Sequence, residues 1–169
     1  MPNATRPLTT DDVAAIIALS STQPDPQQVY QLVQSIAAET CGWVLLTALK
    51  YVERDNVVER VYSSDADSHP VGGRKPLDKL VESHGAASAG DVFLAATKDD
   101  VRRAFYDHDL IFALGIGAIL NAPISHAGRR LGTLNLCGRE GSYRDGEIAA
   151  AKTLAGLLVP TLLRETGAV

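Results

Sequence analysis

Cysteine, aromatic side chains, excess charge and long apolar runs are all scarce in this chain of 169 residues, and each scarcity excludes something. The two cysteines, Cys41 and Cys137, form no Cys-x-x-Cys pattern and are too few for the disulfide framework of a small secreted domain. That usage suits a reducing compartment, so a cytoplasmic protein is expected. No apolar segment reaches the ~20 residues that a bilayer-crossing helix needs. Residues 1–12 contain no basic stretch leading into an apolar core, and no signal peptide is expected. Sixteen Lys and Arg against twenty Asp and Glu leave a net charge of −4, which supplies no electrostatic reason to approach nucleic acid or an anionic membrane. No internal repeat is visible.

What is present is the composition of one ordinary folded domain, 46% hydrophobic and 21% charged. A chain of this length buries about 70% of the surface it exposes when unfolded. Thr9-Thr10-Asp11-Asp12 predicts a helix start, with Val13, Ile16 and Ile17 on one stripe. Asp25-Pro26 predicts a second start, followed by the stripe Val29, Leu32, Val33, Ile36 and Ala37 and closed by Gly42. Trp43 to Tyr51 reads as a central strand, and Val57 to Ser63 as its half-covered hairpin partner across the turn Arg54-Asp55-Asn56. Residues 64–76 read as an irregular polar loop able to act as a lid. A short helix is expected over Leu77 to His84, an edge strand over Asp91 to Leu94, and a helix capped by Thr97 running through Phe105. A further helical turn starts at Asp107 or Asp109 and stops at Gly115. Arg144 to Glu165 carries a long helical stripe that Pro160 should kink.

The most informative stretch is residues 117–138. Two apolar runs, Gly117 to Ser125 and Leu131 to Cys137, flank a short polar break, as in a β-hairpin. If Ser125 lies opposite Leu131, then Asn121 faces Asn135 and Pro123 faces Thr133, and alternation puts Asn121, Thr133, Asn135 and Cys137 on one face. A two-residue turn at Ala127-Gly128 shifts that register by one. Buried amides need partners, so the two asparagines serve either a cross-strand hydrogen bond or a ligand contact.

The element order implies an α+β protein: an antiparallel five- to six-stranded sheet, terminal helices on one face, and short helices and loops enclosing a pocket on the other. The segment Arg130-Leu131-Gly132-Thr133-Leu134-Asn135-Leu136 resembles the G-x-L-x-L strand that ends many GAF sheets. Asn121-Ala122-Pro123-Ile124 matches the preceding x-x-P strand, and Tyr143 to Glu147 fits the turn before the last helix. On these residues the chain resembles the GAF domain family over about residues 24–165, with 1–23 as an N-terminal helical extension and 166–169 as a tail. The resemblance implies a GAF/profilin-like fold, a ligand cavity on one sheet face and dimerisation through the terminal helices on the other. The signature of cyclic-nucleotide-binding members is not recognisable. The cysteines also lack the setting of a bilin attachment site, since Cys41 precedes Gly42 and Cys137 precedes Gly138. No kinase, cyclase or DNA-binding segment fits after residue 165, so output is expected through a partner chain or the domain itself.

Other candidate chemistry has a simpler reading in each case. A free methionine-R-sulfoxide reductase, the stand-alone GAF enzyme, needs a reactive thiolate and a resolving cysteine on mobile loops, and packing accounts for both cysteines better. Asp65-x-Asp67-x-His69 lies in a loop with no fourth metal ligand in view, and Tyr106-Asp107-His108-Asp109 suits an exposed helix boundary. His126 sits in a hairpin turn and His84 near a helix end, neither with a visible partner. Gly72-Gly73-Arg74-Lys75 lacks the spacing of a nucleotide-phosphate loop and reads as a flexible turn, although the GAF resemblance places Arg74 near the cavity mouth as a carboxylate partner.

The expected function is a stand-alone GAF-type sensor in signal transduction. It would bind a small polar or amphipathic metabolite non-covalently between the sheet and residues 64–115, with Tyr62, Arg74, Phe93, Tyr106, His108, Asn121 and Asn135 as ligand-binding residues. No catalytic residue, metal or cofactor is expected. The expected partners are a small molecule of unknown identity and a second copy of the chain, with no nucleic acid or membrane. The alternatives are the sulfoxide reductase and a ligand-free dimerisation module.

Overall fold

Helices begin where side chains can satisfy the free N–H groups of a first turn. In the computed structural model, which describes residues 5–22, 25–80 and 91–167, α1 spans Thr10–Ser20. Thr9 Oγ1 accepts from Asp12 N–H while the Asp12 carboxylate accepts from Thr9 N–H at 2.8 Å, a reciprocal cap. α2 spans Pro26–Thr40, starts on the Asp25 carboxylate with Pro26 in its first turn, and turns away at Gly42, whose φ is +67°. The reciprocal cap recurs with Thr97 and Asp100 at α3, Lys98–Ala104. A short α4, His108–Ala113, begins after Asp107. The expected kink at Pro160 is a full break: α5, Asp145–Leu157, and α6, Val159–Glu165, meet at 42° across Leu158. Proline cannot donate to the turn before it, and its ring displaces that turn's carbonyl.

The strands β1 (Leu45–Val52), β2 (Val57–Ser63), β3 (Arg74–Pro76), β4 (Phe93–Ala95), β5 (Ala118–His126) and β6 (Arg129–Gly138) form one antiparallel sheet in the order β3-β2-β1-β6-β5-β4. β3 departs from the expected loop over residues 64–76. Its three residues pair with Val57, Val58 and Glu59, covering a sheet edge that would otherwise present unpaired backbone. The expected helix from Leu77 is a single 3₁₀ turn over Leu77–Leu80; its continuation to His84 lies outside the described residues. The edge strand begins at Phe93 rather than Asp91.

The hairpin contains both registers considered for it. Asn121 faces Asn135 and Pro123 faces Thr133, but Ser125 faces Arg130 instead of Leu131, because the register slips between Ile124 and Ser125. The bulge leaves the tip to a two-residue turn, Ala127-Gly128, both residues at positive φ as a type I′ turn requires.

Alternation then divides the sheet into two faces. Leu46, Ala48, Leu120, Ala122, Leu134 and Leu136 pack under α1, α2, α5 and α6 in the main core, together with Ile16, Val29, Val33, Leu154, Leu158 and Leu162. The opposite face carries a smaller core of Leu45, Ala95, Val101, Ile116 and Ile119, roofed by Phe105, Ile111 and Phe112. A second slip, between Ala48 and Leu49, pairs Ala48 with Tyr62 and Leu49 with Arg60, leaving Val61 as the extra residue. Strict alternation would put Tyr62 on the same face as Val58 and Arg60; the bulge turns it to the helix side. Among the described residues no single helix is long and apolar enough to cross a membrane. The bent α5–α6 pair has a suitable composition, but its Leu154, Leu158 and Leu162 are buried in the core.

Candidate functional site

Between the sheet face opposite the long helices and the segments that cross it lies a cavity of about 140 Å³. That is close to the size of cavity that holds a benzene-sized molecule. The floor comes from β1, β5 and β6, and one side from Val58 and Arg60 of β2. His69, Gly73 and Lys75 close the approach beside β2, while Phe105, Asp107, Ile111, Leu114 and Ile116 form the roof.

The floor is arranged in ranks across paired strands. Ile119, Cys137 and Leu45 form one rank, Asn121, Asn135 and Thr47 the next, and Pro123, Thr133 and Leu49 the third, which continues onto β2 at Arg60. The central rank is polar and deeply buried: Asn121 is 4% and Asn135 6% exposed. Asn135 Nδ2 donates to Thr47 Oγ1 at 3.2 Å, which orients the amide across the floor. Its Oδ1 is buried with no hydrogen-bond partner, as are Thr133 Oγ1, Arg60 Nε and His69 Nδ1. Orphaned polar atoms of this kind are costly and uncommon in folded proteins, and here those of Asn135, Arg60 and His69 belong to residues that line one cavity.

The electrostatics follow from burial. Arg60 Nη1 donates to the Pro70 carbonyl at 3.0 Å, and burial lowers the guanidinium's pKa, yet arginine stays protonated in proteins. The guanidinium passes close over Gly73, where an added Cβ would sit 2.8 Å from Nη1. Burial, followed by the nearby Arg60, lowers the His69 pKa. Lys75 Nζ lies 3.9 Å from Asp107 Oδ2 across the cavity mouth. Burial pushes the Cys137 thiol up to about 12. Cys41, on the helix side with its Sγ directed at the Glu147 carbonyl, rises to about 11 for the same reason. Neither thiol is held as a thiolate, and the two lie on opposite faces of the sheet.

Of the seven residues expected to bind ligand, the structure brings Asn121 and Asn135 together on the floor. Phe93 pairs opposite Asn121 and meets Phe105 edge-on at 6.0 Å, so it supports the wall from behind. Tyr62 is placed on the other face: its ring stacks on Tyr30 at 5.2 Å and its hydroxyl donates to Gln34 Oε1 at 2.6 Å. Arg74 points away from the cavity and is ion-paired to Glu59 at 2.6 Å and Asp55 at 3.2 Å, whereas its neighbour Lys75 lines the mouth. Tyr106 is 76% exposed. His108 lies against Phe112 and pairs with the exposed Asp109 at 3.0 Å, outside the cavity lining. Sequence reasoning missed Arg60, His69 and Lys75. Alternation from Val58 signalled Arg60, and nothing local signalled His69. The Asp65 run is a self-contained turn, with Asp65 Oδ1 accepting from Ser68 N–H and the Asp65 carbonyl from His69 N–H. Among the described residues no cluster of His, Cys, Asp and Glu can hold a metal ion.

No protein-family model and no curated protein matches the chain. Solved structures do. The GAF domain of a phosphoenolpyruvate-protein phosphotransferase from Coxiella burnetii superposes with a TM-score of 0.73 at 20% identity, covering 94% of this chain and 96% of that one. The corresponding Acinetobacter domain gives 0.72 at 12% identity, covering 96% and 98%. A phycoerythrobilin-bound GAF domain from a cyanobacterial phytochrome gives 0.64 at 13% identity, covering 91% and 95%. With the strand order and the two differently covered faces already described, these likenesses show that the chain has the GAF-domain fold.

Proposed function

We propose that this protein is a GAF-type sensory module that binds a small metabolite non-covalently in the cavity between the sheet and the segments crossing it. The observation that carries this reading is the buried, unpartnered Asn135 Oδ1 on the floor of a cavity of about 140 Å³. A cavity kept only for packing would be lined by apolar groups. Here the lining includes an amide whose Nδ2 is committed to Thr47 while its oxygen has no partner. The neighbours include GAF domains of a phosphotransferase and a phytochrome, and a domain from a chemotaxis protein, which support a regulatory role in a signalling pathway. Binding would order the segments bearing His69, Lys75 and Asp107, and the reading includes a cytoplasmic homodimer that relays the change through the helix-covered face.

The test is mass spectrometry of the protein purified intact and then denatured, together with amide NMR spectra during titration with a metabolite extract. The expected result is a released small molecule, with shifts centred on residues 47, 121 and 135. A protein that releases nothing, and whose spectrum the extract leaves unchanged, refutes the reading.

A further inference from the structure

The floor of the cavity changes character along the strand direction, from the apolar rank through the amide rank to the cation on β2. Two buried atoms on the polar side lack partners, and they are of opposite kind: Arg60 Nε is a donor and Asn135 Oδ1 an acceptor. Among the described residues Arg60 has no carboxylate within ion-pair distance and one side-chain hydrogen bond, to the Pro70 carbonyl, which fixes the guanidinium without neutralising it. Lys75 adds a second cation. Asp107 is the one carboxylate in the lining, and it lies beside Lys75 rather than Arg60. A partly buried cation without a counter-charge is an unfavourable arrangement that an incoming carboxylate relieves through charge-assisted hydrogen bonds.

Arg60 and Asn135 are two strands apart and two residues apart along β1, which places their Cα atoms about 12 Å from one another. Both residues line the cavity, and a molecule that spans them carries a carboxylate toward Arg60 and a hydrogen-bond donor toward Asn135. The space beyond lies over the apolar floor residues Ile119 and Leu45.

Resting on the small-molecule reading above, we infer that the ligand is a small aliphatic acid of about six to eight non-hydrogen atoms. Its carboxylate meets Arg60, an N–H or O–H near that carboxylate donates to Asn135 Oδ1, and its short hydrocarbon part covers Ile119 and Leu45. 2-Amino acids and 2-hydroxy acids share this pattern.

Isothermal titration of the full chain separates the possibilities. The probes are 2-amino and 2-hydroxy acids with side chains of increasing length, the matching acids without the 2-substituent, and the matching amino amides without the carboxylate. Binding by one substituted series is expected, with at least tenfold loss on removing either the carboxylate or the donor; the tighter series identifies the donor. Arg60→Gln and Arg60→Lys should each weaken the acid at least tenfold, the lysine variant serving if the glutamine variant does not fold. Asn135→Leu should reduce the substituted acid to the level of the unsubstituted one. Amides that bind as tightly as acids, or acids indifferent to both Arg60 variants, overturn the inference. So does a neutral or basic metabolite released from the protein while no acid binds, although that result leaves the cavity reading standing. Release of nothing and binding of nothing refutes both.

Discussion

Gly132 and Gly146 accept the same substitution with opposite consequences, and the contrast tests the packing of the whole sheet. A Cβ added at Gly132 would lie 2.0 Å from the Leu49 carbonyl oxygen and 2.7 Å from Leu162 Cδ2. The first of these is backbone, fixed by the β1–β6 ladder in which Lys50 faces Gly132. The strands must therefore part where the sheet is covered by α6, sacrificing a ladder hydrogen bond of about 1 kcal/mol and overpacking the Leu162 contact at a cost of about 1–3 kcal/mol. Gly132→Ala is expected to lower stability by about 3 kcal/mol, and the melting temperature by about 6–12 °C for a chain of this size. At Gly146, in the first turn of α5, an added Cβ meets nothing within 4 Å. Gly146→Ala should stabilise by about 0.4–1 kcal/mol by reducing the freedom of the unfolded chain. Urea unfolding followed by far-ultraviolet circular dichroism measures both. A Gly132→Ala protein within about 1 kcal/mol of the parent would show that the β1–β6–α6 contact is looser than described, and the reasoning about this strand would fail.

Four further outcomes are expected. Ala127 adopts φ 49° in a type I′ turn, so Ala127→Asn should raise the urea midpoint by the equivalent of about 0.5–1 kcal/mol, as asparagine tolerates that conformation. The Arg6 guanidinium, followed by the cap hydrogen bonds from Thr9, holds the Asp12 carboxyl well below the usual carboxylate range. A depressed folded-state pKa gives stability that is present above the unfolded value, near 3.9, and is lost as the pH falls through the folded one. The stability advantage of wild type over Asp12→Asn should accordingly be full at neutral pH and shrink on acidification below pH ~4; a difference independent of pH contradicts the ion pair. With Cys41 pushed to about 11 and Cys137 to about 12, an aromatic disulfide reagent at pH 7.5 should label the folded protein far more slowly than the urea-unfolded one. Rapid labelling of either thiol would revive the reductase alternative. Finally, Asn135→Leu removes an orphaned acceptor, so the ligand-free variant should be within about 1 kcal/mol of wild type or above it while ligand binding weakens; a drop beyond about 2 kcal/mol would mean that the amide is structural.

The sequence by itself determined features whose cause lies within a few residues. Thr9 with Asp12, Asp25 with Pro26, and Thr97 set helix starts because a cap spans only one turn. The run 117–138 set a hairpin with Asn121 opposite Asn135 because apolar alternation and the turn residues are local. Tertiary structure alone decided where alternation is interrupted. The bulge at Val61 takes Tyr62 out of the cavity and leaves Arg60 in it, and a strand slips when neighbouring strands must twist and pack, which no window of its own residues records. Tertiary structure also selected Lys75 over Arg74, since pairing of β3 with β2 commits Arg74 to Glu59 and turns the next side chain inward. His69 reaches the cavity by the same route, from a loop whose local chemistry describes only a turn. A cavity assembled from β1, β2, β5, β6 and the segments between them depends on contacts between residues far apart in the chain, and those contacts exist only once the sheet has closed over its helices.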